Sequence, residues 1–300
     1  NPYTWLKWRG FSAPFLRMES GMSWSIILLV LGAALLHATW NIIVKGGQNK
    51  LFETAMNALG GGLGAMLILP FLHFPDREAW GLLALSCACH LTYYICIAAA
   101  YRVADLTLGY TIMRGTAPML TALALCLMGV PLGLAGWGGV LLLCAGIFTL
   151  ALEQKLSHKG SLKGILYALR TSFVIMGYTL ADGYGARLSG DSLSYTCWIF
   201  FLNIFPLHIY VCWRHGREYL AYLRKRAAIG IGGGLCGLGS YGIAIWAMTM
   251  APIALVAALR ETSVIFAMLM AVIFLGEKLT PLRILAIFLV MAGAMIVRLD

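Results

Sequence analysis

Along this chain apolar residues run on without the alternation of a half-buried strand, and polar residues collect in short gaps between the runs. About 20 apolar residues in a helix cross the ~30 Å of hydrocarbon in a bilayer. Such runs fall at 24–44, 51–73, 80–101, 107–128, 133–152, 162–187, 191–213, 227–250, 253–275 and 281–299. Only helices or closed barrels satisfy backbone polar groups in lipid, and a barrel requires alternation. The expected fold class is therefore an all-α integral membrane protein with ten transmembrane helices.

The pattern repeats. Arg114-Gly-Thr-Ala in span 4 is echoed by Arg260-Glu-Thr-Ser in span 9. Tyr94, Ala100 and Ala104 recur as Tyr241, Ala247 and Ala251, and Leu142, Ala145 and Gly146 recur as Leu289, Ala292 and Gly293, at a shift of 147. Each copy would hold five spans. An odd number of crossings makes the second copy enter from the opposite face, so the two five-helix repeats are inverted about an axis in the membrane plane, a transporter plan. The expected organisation is an interfacial segment at 1–23, a first repeat at 24–152, a connecting loop at 153–161 and a second repeat at 162–300. Trp5, Trp8, Phe11 and Phe15 beside Lys7, Arg9 and Arg17 give the first segment a headgroup-region character.

Composition narrows the function. Hydrophobic residues make up 61% of the chain and charged ones 11%, with a mean hydropathy of +0.84, which removes soluble classes. The net charge of +10 is scattered over loops beside lipid headgroups, so it implies no nucleic-acid partner. The eight cysteines all lie inside predicted spans and read as buried thiols. Cys87-x-Cys89 has no second pair to complete a zinc site. No catalytic or phosphate-binding motif is present. The expectation is a non-enzyme with no cofactor and no metal.

Ionisable groups inside a membrane mark function because burying them is costly. Arg114 and Arg260 each lie about seven residues into their spans, ~10 Å below opposite surfaces at 1.5 Å per residue. If the repeats are inverted, the two guanidiniums bracket the midplane, and arginine offers a planar fork for carboxylate or phosphate. The plain alternative is that they snorkel or pair internally. Glu261 and Asp182 are the carboxylates well inside the spans. Either can neutralise an arginine, bind a substrate ammonium or exchange a proton. Both are coupling candidates, although Asp182-Gly183 can also end a helix in the headgroup zone.

Span 1 places His37, Asn41 and Lys45 on one helix face at i, i+4, i+8. Trp40 is adjacent, span 3 adds His90, Tyr94 and Tyr101, and span 8 adds Tyr241 and Trp246. Together they can line an aromatic, weakly polar cavity. Tyr101 and Trp246 equally fit ordinary packing or the interfacial belt.

His37-Ala-Thr-Trp-Asn41 with Lys45, then Arg260-Glu-Thr, then Leu275-Gly-Glu-Lys-Leu279 resemble the EamA-type branch of the drug/metabolite transporter superfamily over residues 24–299. The resemblance implies a carrier with a central cavity and alternating access, of a kind that includes amino-acid exporters and proteins associated with phosphonate use. One departure stands out. Gly276-Glu277-Lys278-Leu279 matches the family's acidic turn, whereas its first-half counterpart is Gly129-Val130-Pro131-Leu132.

The expected function is secondary active export of small metabolites such as amino acids or related organic anions and zwitterions. A flippase for a lipid-linked sugar and an uptake carrier for a phosphonate-type compound are the alternatives. The substrate set is Arg114, Arg260, Glu261, His37, Asn41, Trp40, Tyr94 and Tyr241. Expected partners are a small-molecule substrate, membrane lipids and protons as coupling ion, in a monomer or homodimer of the bacterial inner membrane. The resemblance implies cytoplasmic termini, yet Arg214, Arg217, Arg224, Lys225 and Arg226 would then face outward, against the positive-inside rule. A reporter fused to the carboxyl terminus separates the two orientations.

Overall fold

The computed structural model describes residues 22–100, 106–157, 162–275 and 278–299. Most of the interfacial segment, Tyr101 and the Gly276-Glu277 turn lie outside them, as do the side chains of Lys45 and Tyr94. All regular structure among the described residues is helical: α1 (Trp24–Gly46), α2 (Lys50–Ile68), α3 (Trp80–Ala100), α4 (Leu106–Leu127), α5 (Leu134–Ser157), α6 (Leu162–Leu188), α7 (Ser192–Met250), α8 (Ile253–Arg260), α9 (Ser263–Leu275) and α10 (Pro281–Val297). By length and composition, Trp24–Val44, Lys50–Phe71, Leu134–Glu153, Gly164–Leu188, Ser192–Met250 and Ile253–Met270 can each cross a membrane.

Local chemistry sets the ends. The Asn49 side chain accepts from the N–H groups of Leu51 and Phe52 at 3.1 and 3.2 Å. Asp191 accepts from Leu193 at 2.9 Å, and Thr280, just ahead of Pro281, accepts from Arg283 at 3.2 Å. These side chains satisfy donors that a helix start leaves unpaired. At the other end of α7, Arg187 donates to the carbonyls of Met248 (2.9 and 2.6 Å) and Ala251 (3.0 Å). The cation complements the negative helix terminus.

Two elements differ from the predicted spans. The runs at 191–213 and 227–250 share one helical stretch of 59 residues, α7. A Cβ on Gly61 would meet Phe200 of the first run and the Gly234 carbonyl of the second. In a straight helix those contacts would lie about 50 Å apart, so α7 folds back on itself. His208 and Tyr219 meet through a 2.8 Å hydrogen bond, which puts the reversal between them, in the stretch holding Gly216. Two limbs then clasp α2. The second difference is span 9, which is split into α8 and α9 at Glu261-Thr262.

Packing is closest where glycines let backbones touch. At the crossing of α5 and α10, a Cβ on Gly146 would stand 2.9 Å from the Ala286 carbonyl oxygen, and one on Gly293 would stand 2.9 Å from that of Gly139. Residues 146 and 293 differ by 147, as do 139 and 286. The crossing is thus reciprocal, as a local two-fold axis requires. All of α8 is buried, and it forms the centre of a core with Ile27 and Val30 of α1, Leu125 of α4, Leu143 and Ile147 of α5 and Val290 of α10. The cysteines are free, and Cys126 and Cys212 are exposed rather than buried, because they sit on outward faces of their helices.

Gly146→Ala and Gly293→Ala should each lower stability, by about 1–3 kcal/mol, since the obstructing atom is backbone and cannot turn aside. Thermal unfolding in detergent measures both. Similar losses are expected from the reciprocal geometry, and a loss at one glycine alone would contradict it.

Candidate functional site

Two helix defects create the site. After Arg260, Glu261 and Thr262 donate to Ala258 and Leu259, each at 3.0 Å. These are tight i→i−3 bonds that end one helix before the next begins. In α4, Pro118 lacks the N–H that would reach the carbonyl of Arg114, four residues back. Each arginine of the repeated motif therefore sits at an interrupted turn. α4 packs against α8, which brings the defects together.

Arg114 crosses to the broken helix. Its Nε lies 2.5 Å from Glu261 Oε2, and these side chains are 5% and 2% exposed. Nη2 donates to Ser263 Oγ at 2.9 Å. Arg260 takes another direction. It is 3% exposed, and its guanidinium stands 5.5 Å from the centroid of the Tyr241 ring, a cation–π distance. Tyr178 lies beside it.

Asp182 is buried within α6, six residues before the helix ends, so Asp182-Gly183 does not end it. Its Oδ2 accepts from the Tyr241 hydroxyl at 2.5 Å and its Oδ1 from the Tyr195 hydroxyl at 3.4 Å. Tyr241 therefore joins the carboxylate to the Arg260 group, hydroxyl on one and ring face to the other. His90 stacks on Tyr178 at 4.5 Å and meets Tyr241 edge-on at 5.8 Å.

His37, Trp40 and Asn41 lie half-buried along α1. Trp40 Nε1 donates to His37 Nδ1 at 3.3 Å, and Asn41 Nδ2 donates to the His37 carbonyl at 2.7 Å. His37 is near enough to feel the charges of both Arg114 and Arg260. Trp246 is 36% exposed.

Residues outside the sequence-derived set also join it. Tyr178 precedes Asp182 by one helical turn, so the i, i+4 spacing could have flagged it. Ser263 and Thr262 belong to the repeated motif itself. Tyr195 carries no sequence signal. Glu53, only three residues into its predicted span, is fully buried away from the site, with Arg226 Nε at 2.5 Å and the Tyr222 hydroxyl at 2.8 Å. Glu153 similarly meets Arg283 Nε at 3.2 Å and the Thr280 hydroxyl at 2.8 Å.

Chemically, the arrangement presents charged and hydroxyl groups in a buried interior. The described residues contain no group of acids, histidines or cysteines that could hold a metal ion. What the interior offers is two guanidiniums, two carboxylates, several phenols and a hydroxyl-bearing helix break.

Residues 162–299 match the EamA-like transporter family. This half of the chain is an EamA-like transporter domain, which places the protein among multi-pass membrane transporters and not among enzymes. No curated protein matches the chain. A solved crystal structure of a protein superposes with a TM-score of 0.70, covering 91% of this chain and 96% of that one at 18% identity. At that identity the likeness is one of fold.

Removing one partner of the Arg114–Glu261 pair strands a charge in a dry interior, a loss of about 3–5 kcal/mol. Arg114→Ala should therefore unfold at markedly lower temperature, and Arg114→Ala with Glu261→Ala should recover part of the loss. A double-mutant cycle showing no coupling would mean the pair contributes nothing.

Proposed function

We propose that the protein is a secondary active exporter of small metabolites, amino acids or related organic anions and zwitterions, in the bacterial inner membrane. It has ten membrane spans in two inverted five-helix repeats and works by alternating access. The observation that carries this reading is the concentration of Arg114, Arg260, Glu261 and Asp182 in the buried middle of an apolar helical bundle, at a broken helix. Structural needs alone do not favour four ionisable groups there, and broken helices are where transporters of this plan hold polar substrates.

The reciprocal glycine crossing of α5 and α10 supports the inverted repeats. So does the partner pattern. α3 packs on α6 as the second limb of α7 packs on α1, where Ser240 Oγ donates to the Ala33 carbonyl at 2.7 Å. Exchanging spans 1 with 6 and 3 with 8 turns one contact into the other. Burial supports alternating access. Near Met22, Ile253 and Val297 the bundle is tightly closed, whereas His37, Trp40 and Asn41, farther along α1, remain half-buried.

In this reading the arginines draw the anionic end of the substrate, His37, Asn41, Trp40 and Tyr241 line its path, and Tyr94 is assigned to the same set by its sequence match to Tyr241. Protons are the coupling ion. Asp182, held by phenols, and Glu261, held by a guanidinium, are the carboxylates available to exchange them.

Counterflow in proteoliposomes against a panel of labelled amino acids and organic anions tests the reading. Exchange of at least one carboxylate-bearing compound is expected. No exchange with any member, from folded protein, would overturn it. For coupling, Asp182→Asn should retain counterflow but lose accumulation driven by a proton gradient. Intact gradient-driven accumulation would remove Asp182 from the coupling step.

A further inference from the structure

The two arginines of the repeated motif look equivalent in sequence, but their surroundings differ. Arg114 is committed: Nε faces Glu261 Oε2 and Nη2 donates to Ser263 Oγ. Its charge is cancelled inside the protein. Arg260 is as deeply buried, at 3% exposure, yet its Nε has no hydrogen-bond partner among the described residues. The hydroxyl of Thr262, in a residue 4% exposed, has none either. Folded proteins seldom leave buried polar groups unsatisfied, and such groups mark where something else binds.

Asp182 does not fill the gap. Both of its oxygens are engaged by phenols, those of Tyr241 and Tyr195. Arg260 instead meets the Tyr241 ring face, which steadies the guanidinium without using up a hydrogen-bond donor. One guanidinium N–H and one hydroxyl are thus left at the break between α8 and α9. A carboxylate has two oxygens to accept them.

We propose that Arg260 and Thr262 form the carboxylate subsite of the carrier, and that Arg114 is a positioning residue which braces the helix break through Glu261 and Ser263. This rests on the reading of the protein as a carrier of small carboxylates. It narrows that reading to compounds whose carboxylate can accept from one guanidinium N–H and one hydroxyl at the break.

The test uses the full-length protein labelled with 15N-arginine in lipid nanodiscs, with the Nε–H resonances of Arg114 and Arg260 assigned through Arg114→Lys and Arg260→Lys. The probes are sodium acetate, neutral acetamide and sodium chloride. Acetate is expected to move the Arg260 resonance saturably, with neither acetamide nor chloride doing so, while the Arg114 resonance stays in place. Thr262→Val should weaken acetate binding about tenfold, the loss of one hydrogen bond to a charged group.

Movement of Arg114 instead of Arg260 would overturn the division of roles but leave a carboxylate carrier standing. Movement of neither with acetate would overturn both the subsite and the carboxylate reading at this break. An equal response to chloride would overturn selectivity for carboxylate. Both lysine variants keep the positive charge, and either assignment alone lets the wild-type titration decide among these even where Thr262→Val fails to fold.

Discussion

The buried ion pair between Arg114 and Glu261 is the contact on which the centre of the molecule depends. Charges in a dry interior are tolerable only when paired and hydrogen-bonded, and these two lie on α4 and at the α8–α9 break, 147 positions apart in the chain. Their pairing fixes the distance between the elements that carry them. It also holds open a helix break that isolated backbone chemistry would tend to close. Ser263, at the start of α9, takes a second N–H of the same guanidinium, so both sides of the break are tied to one group.

Around that contact the fold is built from close backbone approach. Lipid offers no hydrophobic gain for bringing helices together, so small residues and shared hydrogen bonds must do it. α5 and α10 meet at Gly139, Gly146 and Gly293, and α2 meets both limbs of α7 at Gly60, Gly61 and Gly234. Ser240 and Ser172 add hydroxyl bonds to backbone carbonyls on neighbouring helices, Ala33 at 2.7 Å and Met113 at 3.2 Å. These dense crossings are made by α2, α5, α7 and α10, whereas Arg114, Arg260 and Asp182 lie on α4, α8 and α6. That separation lets a rigid frame surround an interior with unsatisfied donors.

Much of this was legible in the sequence, for a physical reason. Membrane spans are dictated by bilayer thickness, so apolar runs announced a helical bundle, and rare intramembrane charges announced Arg114, Arg260, Glu261 and Asp182. What could not be read was partnership. Nothing in one sequence says that Glu261 turns to Arg114 rather than to its neighbour Arg260, or that Asp182 is held by Tyr195 and Tyr241. The reversal within α7 was legible, since the charged stretch from Arg214 to Arg226 separates two apolar runs; that this stretch is itself helical was not. Glu53 gives no such signal, because it lies at the edge of its span, where charges ordinarily meet water. Its burial depends on Arg226 and Tyr222, some 170 residues away. The two arginines looked alike because their motifs are alike. Only their surroundings distinguish them.

In a carrier that works by alternating access, the polar group at the break faces one side of the membrane and then the other. The direct test is a cysteine at Thr262, in a background lacking the native cysteines, treated with a membrane-impermeant maleimide from each side of oriented vesicles. Labelling from both sides is expected, with no ion conductance through the protein. Labelling from one side alone, or from neither, would contradict it.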